Sequence, residues 1–429
     1  MRRGLLSNSR VKTLLSAAAG ILLVLTPANS HSQGFLHAKK GHIVDGQDRD
    51  VILRGMGLGG WMLQEGYMLG VNREGTQHSI KARITDLVGP EECERFYGLW
   101  LQNNMTRADV ELLSHAGFNS IRLPMHYGLF TPPIEKEPIK GAITWIPTGF
   151  DLTDNLLAWC KANRVYLILD LHAAPGGQGK DANISDYDPA KPSLWESELN
   201  RQKTIALWRK LAERYANEPW IGGYDLLNEP NWTFEGKDKN GKDDTSNQPI
   251  WELYKTITQT LRAVDKTHLI IIEGNGWGNN YNGFPGPWDE NMAFSFHKYW
   301  NPNTPAAIAR FLELRRRYQL PVWLGESGEN SNDWFRACVA LMEQNGIGWC
   351  WWPHKKVSSE SCTLTVQRPE AFKQIVDYWN QHGPRPSKEV AVRGLFELVE
   401  NLKASNCRFN TNVVRALIPT GLANSMGKP

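Results

Sequence analysis

Cysteine is scarce in this chain, with 6 among 429 residues. No two form a C-x-x-C pair, and no His/Cys cluster has zinc-site spacing, so neither a zinc-held nor a thiol-redox fold is indicated. Cys160 falls in a helical pattern and Cys350 in a strand pattern. At such places cysteine serves as a small apolar residue as readily as a disulfide partner. Long runs of one charge are also missing. The formal net charge is +3 and the pI is near 8.4, so nucleic acid is not an expected partner. Past the N-terminus no apolar run is long enough for a membrane helix, and no membrane anchor is expected.

Tryptophan, by contrast, is plentiful at 18, and hydrophobic residues make up 41% of the chain. That proportion suffices for a sizeable core. Tryptophan offers a flat apolar face with a polar N–H, suited to core packing and to stacking on sugar rings. The N-terminus has its own composition. Arg2, Arg3, Arg10 and Lys12 precede an apolar run, Leu14–Leu25, and then small residues at Ala28-Asn29-Ser30 and Ser30-His31-Ser32. This order predicts a secretory signal peptide over residues 1–32, with the mature chain starting near His31. No cysteine precedes Cys93, which argues against a lipid anchor at the cleavage site. The expected location is extracellular, or periplasmic if the cell has an outer membrane.

Strand-like runs then alternate with amphipathic ones. The strands read as Val51–Met56, Ser120–Pro124, Val165–His172, Ile221–Glu229, Leu269–Glu273, Ala293–Tyr299, Pro321–Glu326 and Ile347–Trp352. Helical patterns cover Thr106–Gly117, Leu152–Asn163, Gln202–Ala216, Ile250–Val264, Pro305–Tyr318 and Asp333–Asn345. Such alternation predicts an α/β fold with a parallel sheet. A strand count of eight predicts a closed (β/α)8 TIM barrel over residues 33–382. Pro384-Arg385-Pro386 marks a boundary, and residues 383–429 read as a C-terminal extension with one amphipathic helix, Lys388–Leu402.

Barrel enzymes carry their chemistry at the C-terminal ends of the strands. Here those ends hold Glu65, Arg122, Asp170 and His172, Asn228 and Glu229, His297 and Tyr299, Glu326, and Trp352. Singly, each has a structural reading. Asn-Glu-Pro is turn chemistry, Glu326 a loop cap, Arg122 an ion pair, and each histidine a satisfied core residue. Jointly they are out of place, because a barrel core wants branched apolar residues there. Glu229 and Glu326 end the fourth and seventh strands, which a barrel can bring face to face. Two carboxyls flanking a bond, one protonated and one ionised, are what glycoside hydrolysis needs. Arg122 would hold one of them ionised and Tyr299 would hydrogen-bond it. Asp170, His172 and His297 are too few for a metal centre, so no metal and no cofactor are expected. No glycine-rich phosphate loop lies between the seventh and eighth strands, which disfavours phosphorylated substrates.

These residues resemble glycoside hydrolase family 5, and the likeness runs over residues 34–382. It is carried by Arg122 in "IRLP", His172 in "LDLHAAPGGQ", Asn228-Glu229-Pro230, His297 and Tyr299 in "FHKYW", Glu326 in "LGESG" and Trp352 in "WCWWPHKK". The resemblance implies that Glu229 is the acid/base, Glu326 the nucleophile, Asn228 a contact to the sugar 2-hydroxyl and Trp352 the floor of the sugar site. "LRGMGLGGWMLQE" and "DLHAAPGGQ" are similar to the exo-β-1,3-glucanase branch. There the acid at the position of Glu65 helps bind the terminal glucose, and Asp181 matches a second such acid after a one-residue gap. The "WWPHKK" ending and the Gly236–Gln248 insertion depart from that branch.

The resemblance implies a retaining β-glycosidase acting on a β-linked polysaccharide or oligosaccharide, with β-1,3-glucan favoured; the protein is expected to be secreted and monomeric. An endo-β-1,4-glucanase or β-mannanase would share the chemistry. A non-catalytic carbohydrate-binding barrel is the alternative of another class. A retaining enzyme places its two carboxyls about 5 Å apart. Glu229 is expected to keep its proton because the neighbouring charge disfavours a second one.

Overall fold

Parallel strands close into an eight-membered barrel in the computed structural model, which describes residues 34–419. The expected signal peptide, residues 1–32, lies outside the described residues. The barrel strands are β1 (Arg54–Gly57), β2 (Ser120–His126), β3 (Tyr166–Ala173), β4 (Ile221–Asp225), β5 (Ile270–Glu273), β6 (Met292–His297), β7 (Val322–Gly328) and β8 (Trp349–Trp352). Each pairs with its sequence neighbour, and β8 closes on β1. Strands buried on both faces read as continuous apolar runs. Tyr166–Ala173 is buried throughout, as is Ile270–Glu273.

The flanking helices are α1 (Gln77–Val88), α2 (Pro90–Asn104), α3 (Arg107–His115), α4 (Pro147–Ala162), α5 (Glu198–Tyr215), α6 (Gln248–Arg262), α7 (Pro305–Tyr318) and α8 (Asn332–Gln344). After β8 come α9 (Glu370–Trp379), α10 (Lys388–Asn401) and α11 (Thr411–Leu417). The six anticipated helices are all present. Between β1 and β2, where one helix is expected, α1 and α2 come as well. Between β5 and β6 there is only the turn Asn275–Gly278. The glycine- and asparagine-rich segment there does not propagate a helix.

A second apolar cluster lies beside the barrel. It joins Ile80 and Ile84 of α1, Phe96 and Trp100 of α2, Phe372 and Ile375 of α9, and Leu395 and Leu398 of α10. Most tryptophans serve packing: Trp208, Trp323, Trp349 and Trp351 are fully buried. All six cysteines are unpaired, and Cys160 and Cys350 are buried. Among the described residues no helix is long and apolar enough to cross a membrane.

Candidate active site

Under the barrel mouth one guanidinium ties several strand ends together. Arg122, on β2, is wholly buried. Its Nε donates to Asp225 Oδ2 at 2.9 Å and its Nη1 to Glu326 Oε2 at 3.0 Å. Nη2 donates to Asn228 Oδ1 at 2.8 Å and to Glu273 Oε1 at 3.0 Å. Asp170 Oδ2 lies 3.2 Å from Nη1. The planar fork suits this many acceptors. Burial works against the Arg122 charge, but the four carboxylates outweigh it and hold its pKa well above the ordinary value. Asp170 and Asp225 go the other way. Burial pushes both well above the carboxylate range despite Arg122.

Glu229 shows how the fourth strand is made to stop. The ladder runs to Asp225 rather than to Glu229 as the sequence suggests. The Leu226 and Asn228 amides still bond to Ile271 and Leu171 carbonyls. Glu229 then turns into the left-handed region, with φ 42°, which costs a non-glycine residue about 1–3 kcal/mol. The Glu273 carboxylate fixes the turn by accepting the Glu229 amide at 2.7 Å. The Glu229 side chain meets His297 Nδ1 at 2.6 Å, and His297 Nε2 faces Glu273 Oε1 at 3.0 Å.

Burial drives the Glu229 pKa up to about 7; His297 opposes the rise, while the Glu326 and Glu273 charges add to it. Burial, not the neighbouring charge, is therefore the larger reason for the proton. Burial lowers the pKa of His297, yet Glu273, Glu326 and the bond to Glu229 raise it well above its usual value. Glu273 is also pushed up by burial, but His297, Arg122 and the Glu229 amide bring it below the usual range. On the far wall, the Glu326 oxygens accept from Arg122 and from the Tyr299 hydroxyl.

His172 is a neutral spacer. Burial takes its pKa down to about 3. Nδ1 donates to Asp170 Oδ2 at 2.7 Å, and Nε2 accepts from the Asn228 amide at 3.2 Å. Its ring stacks on Trp352 at 5.2 Å and 3°. Trp352 lies flat because β1 and its loop carry glycine beneath it. A Cβ on Gly57 would come within 2.8 Å of the indole, and one on Gly59 within 2.4 Å. Glu65 is 4% exposed. Its Oε1, 4.0 Å from His172 Nε2, has no hydrogen-bond partner. Burial, then the Glu326 and Glu229 charges, push the Glu65 pKa well up.

A cavity of about 780 Å³ opens over these groups, lined by Glu65, His172, Glu229, His297, Glu326 and Trp352, with Tyr299 and Asp181 also in its wall. Arg122 and Asn228 are not in that wall; they brace it. A cavity of about 830 Å³ lies elsewhere, between Trp61, Tyr97, His126 and Asp186; its acids are tied to cations, Asp186 to His78 and His126, and Glu135 and Asp188 to Lys191. Among the described residues one group could be considered for a metal: single atoms of Glu229, His297 and Glu326 lie within 4.8 Å of one another. The Glu326 oxygens already accept from Arg122 and Tyr299, and a Glu229 oxygen is paired with His297, so these groups serve one another. The sequence reading overlooked Asp225 and Glu273. Glu273 carries the same signal as Glu229, an acid ending an apolar strand, Ile270-Ile271-Ile272-Glu273.

Comparison with known proteins identifies the family. The family model Cellulase (glycosyl hydrolase family 5) matches residues 77–357. A β-xylosidase of Phanerodontia chrysosporium is 32% identical over 314 residues, covering 68% of this chain and 61% of the relative. A probable glucan 1,3-β-glucosidase A of Emericella nidulans is 25% identical over 250 residues, covering 58% of this chain and 57% of the relative. The chain thus spans about three fifths of the length of these two relatives. The structure of Thermotoga maritima Cel5A in complex with cellobiose superposes with a TM-score of 0.53 at 16% identity, over 86% of this chain and 98% of that one. It shares the fold.

Proposed function

Because the chain belongs to the cellulase family, glycosyl hydrolase family 5, we propose that it is a retaining β-glycosidase with Glu326 as nucleophile and Glu229 as acid/base. The observation that carries this is the approach of the two carboxylates, with one oxygen of each within 4.8 Å of the other. Retaining enzymes hold the pair about 5–5.5 Å apart, whereas inverting ones leave about 6.5–9.5 Å for a water.

In the first step a Glu326 oxygen bonds to the anomeric carbon. The bond to the leaving oxygen breaks, and that oxygen takes the Glu229 proton. Arg122 and Tyr299 keep the nucleophile oriented, and burial keeps the acid protonated. In the second step Glu229 takes a proton from water, whose oxygen displaces Glu326 and restores the starting configuration. Asn228, steadied by Arg122 and His172, would contact the 2-hydroxyl, and Trp352 would floor the sugar.

The substrate we favour is β-glucan, β-1,3-linked first, acted on outside the cytoplasm after removal of residues 1–32. Glu65 and Asp181 in the cavity wall and the E. nidulans relative support it. The P. chrysosporium relative supports a second reading, hydrolysis of β-xylosides.

Nuclear magnetic resonance of the first-formed anomer tests the mechanism: β-product is expected, and α-product overturns it. Products from laminarin, lichenan, cellulose, mannan and xylo-oligosaccharides test the substrate. Glucose from laminarin is expected. Xylose alone would transfer the assignment to the second reading. Sequencing of the mature N-terminus should start near His31, and retention of Met1 would overturn export.

A further inference from the structure

Just past β7, Glu329 adopts a left-handed backbone, with φ 52°. Its Oε2 accepts from Lys356 Nζ at 2.7 Å, and the two side chains are only 16% and 13% exposed. Its Oε1 has no hydrogen-bond partner. Lys356 sits over the Tyr67 ring, 4.5 Å from its centroid. The Tyr67 hydroxyl in turn accepts from Trp352 Nε1 at 2.8 Å. Glu329, Lys356, Tyr67 and Trp352 therefore form one chain of contacts. Glu329, Tyr67 and Trp352 line the cavity that holds Glu229 and Glu326.

An ionised carboxylate has about four acceptor sites. Glu329 uses one, on Lys356. Leaving the others unanswered in a buried place is unfavourable, and so is a left-handed glutamate. Both features fall on a residue beside the indole where the sugar would stand. Glu65, in the same cavity, also has an unpartnered oxygen.

We propose that Glu329 is a specificity-determining residue, whose carboxylate accepts a hydrogen bond from a hydroxyl of the neutral terminal sugar standing on Trp352. The proposal rests on the glycosidase reading and deepens it. Lys356 holds the carboxylate in place, and Tyr67 couples that hold to the floor. Two acids with spare acceptors suit a sugar that presents hydroxyl donors. The Glu329 carboxylate, paired with Lys356, would repel a sugar bearing its own carboxylate.

The test is a cycle between residue and hydroxyl. Wild type, Glu329→Ala and Glu329→Gln are assayed on 4-nitrophenyl β-glucoside and on its 3-, 4- and 6-deoxy analogues. On the parent compound, Glu329→Ala should lower kcat/KM about 10- to 100-fold, the usual range for a hydrogen bond to a charged group. On one deoxy analogue that loss should shrink to about twofold or less, because the partner hydroxyl is already gone. The other analogues should keep the full loss. A loss equal on all four compounds marks a merely structural residue and overturns the proposal, as does no loss on any. Should the alanine variant not fold, Glu329→Gln carries the cycle, with a smaller loss expected from a neutral acceptor. Wild type without turnover on the whole panel overturns the glucoside substrate and this proposal with it, while the anomer test judges the retaining mechanism separately. Active wild type with a flat cycle overturns this proposal alone.

Discussion

Beneath the barrel mouth, Arg122, Asp170, Asp225, Glu273 and Glu326 share one hydrogen-bonded cluster, none more than 8% exposed. On the barrel flank, Ile80, Phe96, Phe372 and Leu395 are equally buried but purely apolar. The two regions put burial to opposite uses. A buried ionic cluster is weak evidence of stability, since apolar residues of the same volume often do as well or better. Apolar burial contributes roughly 25 cal/mol per Å² without needing partners. The contrast therefore assigns chemistry to the mouth and stability to the flank.

The sharpest break in that contrast is at the two glutamates themselves. Glu326→Ala should lower kcat about 10⁴-fold or more, with little change in unfolding midpoint. Added azide should then give the α-glycosyl azide. Glu229→Ala should still form the glycosyl-enzyme with an activated aryl glycoside, and azide should release it as the β-azide. Azide products of the same configuration from both variants would contradict the assigned roles.

Arg122→Met should damage both properties at once. It leaves Glu273 and Glu326 without their shared cation in a dry place. Removing one partner of a buried pair costs about 3–5 kcal/mol, and the nucleophile loses its orientation. Denaturant unfolding and kcat/KM measured on the same sample check this. A variant as stable as wild type would mean that the cluster holds little net charge for Arg122 to compensate.

Leu395→Ala is the counterpart on the flank. Leu395 is fully buried in the second cluster, and such truncations cost about 2–5 kcal/mol. Below its melting range the variant should keep wild-type kcat. A fall in kcat at full folding would show that the flank and the mouth are coupled.

The same contrast explains what was legible beforehand. A charged or amide residue closing an apolar strand breaks the local pattern, so Arg122, His172, Glu229, His297 and Glu326 stand out in the sequence; the last four line one cavity and Arg122 braces it. Asp225 and Glu273 obey the same rule but lack a neighbouring motif to draw the eye. Glu329 and Lys356 lie outside the strand alternation altogether. The partnership of α1 and α2 with α9 and α10 was not legible. Periodicity reports an apolar face but not the distant segment that will cover it. Nor does an apolar run from Ile221 to Leu227 disclose that the ladder ends at Asp225. That depends on a carboxylate from β5 capturing the Glu229 amide.

The smallest expected effect is a displacement rather than a loss, and it tests the mouth alone. The acid must carry its proton in the first step, so activity should be full below the Glu229 pKa and fall above it. With that pKa at about 7, the basic limb of the kcat/KM profile should fall through about pH 7. His297 lowers this pKa through its hydrogen bond and its positive charge, against the larger upward effect of burial. His297→Asn fills much of the same space but carries no charge. The Glu229 proton should then be held more tightly, and the basic limb should move to higher pH. The acidic limb belongs to another group and should move less. A basic limb that stays in place, or moves down, would show that Glu229 is not the group titrating there, or that His297 is not charged beside it.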